Sequence, residues 1–331
     1  MKFFGRQKPS KNPFRDNSTT LLVSTLLLAA PITVFLLHCV YQTYYRRGAH
    51  WSHNHDILEL STHHEPDVLL YVASYSGLVT TLNLSVAKYR DTPVKLETLS
   101  SEASHPHAAV VDPSKRFVLV PDLGADLIHI YGVGFGDLGL SKLDPLVVAP
   151  GSGPRHIAFV VKETKTFMYL VTELANTIIG YEVVYGGEFI RFKEMWNSGI
   201  HGEGKDVPQG AAAAEIVVSP DREFLIISSR NESTLQVPDF DTSNGTIPSD
   251  PLVSFKIDSE TGHLTLQQDI PCGGRFPRHF SINKAGTLVA VALQSDSRVA
   301  IIERDAKTGI MGDFIAYAEL EGEVTAVIFY E

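Results

Sequence analysis

Cysteine is nearly absent from this sequence: its 331 residues include only Cys39 and Cys272. The first lies in an apolar N-terminal stretch and the second far along the chain, which argues against a disulfide framework and a cysteine metal site. No long stretch of the body has an apolar period of 3.6 residues, which argues against a helical body. The chain also has no Ser-His-Asp order, Gly-rich phosphate loop or zinc-ligand spacing, and no metal or cofactor is predicted.

Basic residues are scarce over most of the chain. The first 47 residues contain seven Lys/Arg and one Asp, which leaves 21 basic and 37 acidic residues, a net charge of −16, for residues 48–331. A body this acidic repels nucleic acid and anionic membrane surfaces. An anionic ligand would therefore need a locally basic pocket.

Charged residues are missing altogether between Asn17 and Tyr45. Within this window the apolar run is long enough to cross a bilayer of about 30 Å, so we expect a transmembrane helix over residues 20–41 behind a basic cytosolic tail, residues 1–19. The excess of basic residues before the run predicts a single-pass type II protein with a lumenal or extracellular body. The alternative is secretion after cleavage of a signal peptide, whose apolar region is usually shorter, about 7–15 residues.

Residues 42–67 are polar and rich in histidine. No cysteine accompanies these histidines and their spacing matches no tetrahedral site, so a solvated stalk is the favoured interpretation. Three glycosylation sequons agree with a lumenal body, and they begin at Asn83, Asn231 and Asn244.

From residue 68 onward the sequence consists of short runs rich in β-branched and aromatic residues, separated by turn residues, which predicts an all-β fold. The runs recur as strand–turn–strand–loop–strand units. A repeat of about 45 residues with about four strands is typical of a β-propeller blade, and about five blades are expected. The last strand, residues 324–330, is predicted to pair with residues 69–75 and close the ring.

The tripeptide Pro-Arg-His occurs at residues 154–156 and again at 277–279, and a degenerate copy, His-Pro-His, occupies 105–107. Each copy precedes an apolar run. Arginines at the start of the innermost strands would place guanidinium groups around one anionic ligand. Alternatively, the tripeptide is only the entry to a blade, with its histidines satisfied in the core.

Two aspartates of the segment PDLGAD, Asp122 and Asp126, are interpreted as residues that organise a loop by bonding backbone amides. Glu173 is expected at the corresponding place in the next repeat.

Several segments together resemble the lactonase family of seven-bladed propellers: HPHAAVVDPSKRFVLVPDLGADLIHIY, GSGPRHIAF, YLVTELANTIIGYEV, AAEIVVSPDREFLIISSRNES and FPRHFSINKAGTLVAVALQSDSRVAIIERD. The resemblance covers residues 68–331. The family includes the bacterial type of 6-phosphogluconolactonase and the fungal carboxy-cis,cis-muconate cyclase, and the fungal members are the more similar ones. The resemblance implies hydrolysis of a sugar-type lactone. The alternatives are a muconate-type isomerase and a propeller that binds a ligand or partner without turnover.

The resemblance also implies roles for individual residues. His107 and Glu173 would be the acid/base pair, and Arg155 and Arg278 would clamp the carboxylate or phosphate of a small anionic lactone or muconate. Three further candidates lie nearby in the repeats: Glu215, His156 and His279.

The sequence departs from the family in one respect. Family members place roughly two more blades between the first-blade motif and the His-Pro-His segment, where this chain has only about 20 residues. Either two blades are absent from this protein or the coding sequence skips an exon.

Overall fold

In the computed structural model, the described residues are 104–134, 140–240 and 244–330, together with the backbone of five earlier strands. They form 25 β-strands and one short 3-10 helix, η1, Gln294–Asp296. The all-β prediction is confirmed. No helix among the described residues is long and apolar enough to span a membrane.

The chain divides into two compact units, unit 1 with residues 1–28 and 199–331, and unit 2 with residues 29–198. Each is described by itself.

Unit 2 contains three sheets. The first has the order β2-β3-β4-β5, from strands Ile57–His63, Leu69–Ser74, Leu78–Asn83 and Lys95–Thr98. The second has the order β10-β8-β7-β6, with β9 also paired to β8, from strands Val110–Val111, Phe117–Asp122, Leu127–Val133, Leu140–Lys142 and Leu146–Val147. The third has the order β11-β12-β13-β14, from strands Pro154–Lys162, Lys165–Thr172, Thr177–Tyr185 and Ile190–Gly199.

Unit 1 contains two further four-stranded sheets. One has the order β15-β16-β19-β20, from strands Ala212–Val218, Phe224–Arg230, Pro251–Ile257 and Leu264–Pro271. The other has the order β21-β22-β23-β24, from strands Pro277–Ile282, Leu288–Leu293, Arg298–Arg304 and Met311–Glu319. Two strand pairs complete the unit: β17 with β18, Leu235–Pro238 and Thr246–Ser249, and β1 with β25, Thr20–Leu26 and Glu323–Tyr330.

The described strands thus form five antiparallel sheets of four or five strands, consistent with propeller blades. Apolar side chains of neighbouring strands fill the core of each unit. In unit 2 one such cluster surrounds Met168 and Leu170, and in unit 1 another surrounds Phe280 and Val291; all four residues are fully buried.

The predicted pairing of the last strand is wrong. The strand β25 pairs along its length with β1, while β3, the expected partner, pairs with β2 and β4. The segment Ile57–His63, which the sequence assigns to the stalk, supplies β2. Both neighbours of β3 are thus local in sequence, a type of contact that costs little chain entropy to form.

The strand Thr20–Leu26 lies where the sequence predicts the start of a transmembrane helix. Three of its seven residues are β-branched, and a short apolar run fits a buried strand as well as a helix. The expectation of helix is therefore corrected for these seven residues, whereas the rest of the predicted span lies outside the described residues.

Candidate functional site

The first Pro-Arg-His tripeptide forms a β-bulge at the start of β11. Pro154 pairs with Thr172 and His156 with Val171, so Arg155 is an extra residue on its strand. A β-bulge bends the strand and redirects a side chain, and such bulges are frequent beside active sites. Proline suits the position because it donates no hydrogen bond to the ladder.

The second tripeptide forms the same bulge at the start of β21. Pro277 pairs with Leu293 and His279 with Ala292, which leaves Arg278 as the extra residue. The repeat seen in the sequence is therefore a repeated backbone geometry.

The degenerate copy follows the same pattern. Pro106 forms a bridge with Asp122, and the backbone N–H of His107 donates to the carbonyl of Pro121 at 2.9 Å. His107 thus follows a paired proline, as the two arginines do. The strand β15 also has a register shift, between Ala213 and Ile216, and this shift includes Glu215.

In unit 2, Arg155 and Glu173 form a direct ion pair. The Nε of Arg155 donates to Oε2 of Glu173 at 2.8 Å, and the exposed fractions of the two side chains are 2% and 21%. The arginine is therefore a buried partner that holds the carboxylate in place. Glu173 is the member of the pair that solvent reaches.

The two candidate histidines of unit 2 also meet. The Nε2 of His156 lies 3.0 Å from Nδ1 of His107, with ring centroids 4.9 Å apart, and both residues are buried. One of the two facing nitrogens donates and the other accepts, so the tautomers of the two rings are coupled.

Asp122 is a loop-organising residue, as predicted. Its carboxylate accepts hydrogen bonds from the hydroxyl of Ser104, the backbone N–H of His105 and the ring of His129. Burial by itself would raise the pKa of Asp122, but the bonds from His129, Ser104 and His105 outweigh it and hold the pKa below its usual value.

Asp126 shapes the loop before Arg155 and is also confirmed as a loop organiser. Its two oxygens accept the backbone N–H groups of Gly151 and Gly153 at 2.7 and 2.9 Å.

The expected structural equivalence of Glu173 and Asp122 is wrong by one residue. Thr172 faces the proline of its bulge, as Asp122 does in the preceding sheet.

In unit 1, His279 and Glu215 approach each other. The Nε2 of His279 lies 3.7 Å from Oε2 of Glu215, and the exposed fractions of the side chains are 28% and 9%. The Nδ1 of His279 accepts the backbone N–H of Val327 at 3.4 Å, which places the ring proton of the neutral form on Nε2, facing the carboxylate. This is an acid/base arrangement that solvent reaches.

Arg278 precedes this histidine and is half-buried. Arg278 belongs to unit 1 and Arg155 to unit 2. The expectation that both bind one ligand stays a prediction.

Sequence reasoning missed His201, which lies in unit 1 between two carboxylates. Its Nδ1 is 2.7 Å from Oδ2 of Asp269, and its Nε2 is 3.1 Å from both oxygens of Glu232. Burial by itself would lower the pKa of His201, but the bonds to Asp269 and Glu232 raise it to about 9. The partners are 68 and 31 residues away, so no local motif signals the contact.

Within the described part of the chain, no group of three or more His, Cys, Asp or Glu side chains has the arrangement of a metal site. The histidines of residues 50–55 lie outside this part.

Comparisons with known proteins agree on one family. The sequence model of the lactonase family, described as a 7-bladed β-propeller, matches residues 47–329. A probable 6-phosphogluconolactonase of Arthroderma benhamiae is 33% identical over 209 residues, which cover 63% of this chain and 49% of that protein. A 6-phosphogluconolactonase of Formosa agariphila is 29% identical over 213 residues, which cover 63% and 54%. The chain thus spans about half the length of the curated relatives it matches.

Solved structures show the same fold. The periplasmic gluconolactonase PpgL of Pseudomonas aeruginosa aligns with a TM-score of 0.69 at 23% identity, over 83% of this chain and 73% of that one. Since the family model matches most of the sequence, this chain belongs to the lactonase family of seven-bladed β-propellers.

Proposed function

We propose that this protein hydrolyses a sugar-type lactone of the 6-phosphogluconolactone or gluconolactone class. The proposal rests on one observation above all: the same β-bulge recurs beside two sets of acid/base groups. In unit 2 Arg155 lies beside Glu173 and the histidine pair, and in unit 1 Arg278 lies beside His279 and Glu215. The names of the relatives support the substrate class.

Lactone hydrolysis needs two proton transfers. A base removes a proton from water as the water oxygen bonds to the lactone carbonyl carbon, and an acid protonates the ring oxygen as its bond to that carbon breaks. The product is an open-chain hydroxy acid. We assign the base to Glu173, which forms an ion pair with Arg155, and the acid to His107, whose Nδ1 lies 3.0 Å from Nε2 of His156.

Arg278 is the proposed binding residue for the anionic group of the substrate. It is half-buried, on an otherwise acidic body that does not attract anions by itself. The substitution Arg278→Ala should therefore raise KM for the anionic 6-phosphogluconolactone at least tenfold and leave kcat less affected. The control is Arg191→Ala, which removes an equal charge from an exposed position where the guanidinium lies over Phe189.

The experiment is an assay of the wild type on a panel of gluconolactone, 6-phosphogluconolactone and carboxy-cis,cis-muconate. Glu173→Gln and His107→Ala should each lower kcat by about 10²- to 10⁴-fold. Because Arg155 acts through Glu173, the double variant Arg155→Ala/Glu173→Gln should be no worse than Glu173→Gln alone. Additive losses would show that the arginine has a separate role.

A second candidate function is a propeller that binds an anionic sugar acid without turnover. It is favoured by one observation: this chain spans only about half the length of the curated relatives that it matches. A wild type that binds gluconate but hydrolyses no lactone of the panel would establish this second function. Turnover of carboxymuconates alone would instead indicate the isomerase.

A further inference from the structure

Side chains of other segments bind the backbone N–H groups of the loop before the second Pro-Arg-His tripeptide. The hydroxyl of Ser249 lies 3.0 to 3.2 Å from the N–H groups of residues 272, 273 and 274. The next two N–H groups are bound by carboxylates: that of Arg275 by Asp296 and that of Phe276 by Asp250. Five consecutive backbone donors thus have side-chain acceptors.

Asp250 is the centre of this arrangement. It is 1% exposed, and Oδ1 accepts the N–H groups of Glu232 and Ser233 at 2.8 and 2.6 Å. Oδ2 accepts those of Phe276 and Asn231 at 2.7 and 3.2 Å. All four acceptor sites of the carboxylate are therefore used, and an amide in its place would direct an NH₂ group at two donors.

Phe276 transmits this constraint to the bulge. Its φ of 62° is in the left-handed region, which an L-residue with a side chain occupies only where its surroundings hold it there. Its carbonyl accepts the N–H groups of Arg278 and Gln294 at 2.8 and 3.0 Å, and its ring lies under the guanidinium of Arg230 at 5.1 Å. The conformation of Phe276 consequently sets where the bulge begins.

Unit 2 holds its own bulge by the same means. There Asp126 accepts two N–H groups of the Gly151–Gly153 loop, two residues before Arg155. A carboxylate that binds the loop N–H groups before a Pro-Arg-His bulge thus occurs in both units.

We propose that Asp250 and Asp296 are positioning residues, which hold the loop so that Arg278 faces the substrate and the adjacent His279 keeps its orientation towards Glu215. The proposal rests on the role of Arg278 in the proposed function. It goes beyond that function because neither carboxylate contacts His279 or Glu215 and neither takes part in the assigned proton transfers.

The test compares Asp250→Asn and Asp296→Asn with Asp258→Asn and Asp305→Asn. The two control residues also accept backbone N–H groups, at 2.8 to 3.1 Å, but in exposed hairpins between β19 and β20 and between β23 and β24. The positioning variants should lower kcat/KM for the lactone about 10- to 100-fold, with a displaced pH profile, because a small misplacement of a binding group is costly. Asp258→Asn and Asp305→Asn should keep the wild-type kcat/KM and the wild-type pH profile. Equal kcat/KM and pH profiles in all four variants would overturn the proposal.

A second readout does not depend on activity. In ¹⁵N NMR spectra of the full chain labelled at histidine, the neutral ring of His279 should carry its proton on Nε2. The signals of His279 are identified as those that disappear in the variant His279→Gln. Asp250→Asn or Asp296→Asn should mix the two tautomers, while the hairpin controls should not. An unchanged His279 tautomer in both positioning variants would overturn the positioning role, even if the wild type hydrolyses no lactone. A changed tautomer without any wild-type hydrolysis would uphold positioning and reject only the proposed function. If Asp250→Asn does not fold, Asp296→Asn decides both readouts, since it perturbs different contacts of the same loop, those of the carboxylate with the N–H and the guanidinium of Arg275.

Discussion

His201 should make the stability of unit 1 depend on pH. Its ring is 7% exposed and donates from both nitrogens, to Asp269 and to Glu232, whose side chain is 1% exposed. These two bonds exist together only when the imidazole is protonated on both nitrogens. The contact is thus an imidazolium held between two carboxylates.

The size of the effect follows from the pKa of His201. It rises from 6.5 to about 9 on folding, which corresponds to about 3 kcal/mol of stability. Because the folded pKa is the higher one, this stability is fully present below pH about 6.5 and is lost as the pH rises through about 9. Between these limits the loss is about 1.4 kcal/mol per pH unit.

The assay is urea unfolding of wild type and His201→Gln between pH 6 and pH 10. The difference in the free energy of unfolding between wild type and His201→Gln should shrink by about 3 kcal/mol from pH 6 to pH 10. His263→Gln, which changes an exposed histidine of the β19–β20 hairpin, is the control and should show no such trend. A constant difference, or an NMR titration midpoint of His201 near 6.5, would refute the reasoning.

The remaining predictions concern the loop before Arg155 and the topology of the chain. Gly151→Ala and Gly153→Ala both place a side chain at positive φ, but only at Gly153 would the new Cβ lie 2.6 Å from Cγ of Leu174. Gly153→Ala should therefore lower the free energy of unfolding by roughly 1 to 3 kcal/mol, more than Gly151→Ala, and equal losses in urea unfolding would contradict the clash. If the body is lumenal, the exposed Asn231 and Asn244 should carry glycans in a eukaryotic secretory host, and Asn244→Gln should remove one glycosidase-sensitive mobility shift. Absence of glycans, with digestion of the body by protease from the cytosolic side, would contradict that topology.

Much of the fold could be predicted because its signals are local. Each strand is a short run of β-branched and aromatic residues, and each hairpin is bounded by turn residues that a reader of the sequence can see. The recurrence of Pro-Arg-His likewise reflects a local cause, a bulge in which a proline without an N–H donor precedes the extra residue. The loop-organising role of Asp122 and Asp126 was predicted from their place in a turn-like segment, although the N–H groups of His105, Gly151 and Gly153 that they bind lie 17 to 27 residues away.

The contacts that were missed are those between distant segments. His201 meets Asp269 across 68 residues, and β25 meets β1 across almost the whole chain, so neither leaves a periodic or motif signal. The displaced equivalence of Glu173 has a different cause. The letters Val-Thr-Glu resemble Val-Pro-Asp, but the strand pairing matches Asp122, which pairs with Leu127, to Thr172, which pairs with Thr177.

The organisation of the candidate groups bears on how a chain that spans about half the length of its curated relatives could work. Arg155 and Glu173 belong to one sheet and the turn that follows its second strand, so this ion pair forms within a single blade. The contact of His107 with His156 joins two sheets consecutive in the chain, and so does that of Glu215 with His279. No pair therefore needs more than two consecutive sheets, and each is complete in this chain. The wild-type lactone assay therefore tests whether these local pairs suffice for turnover.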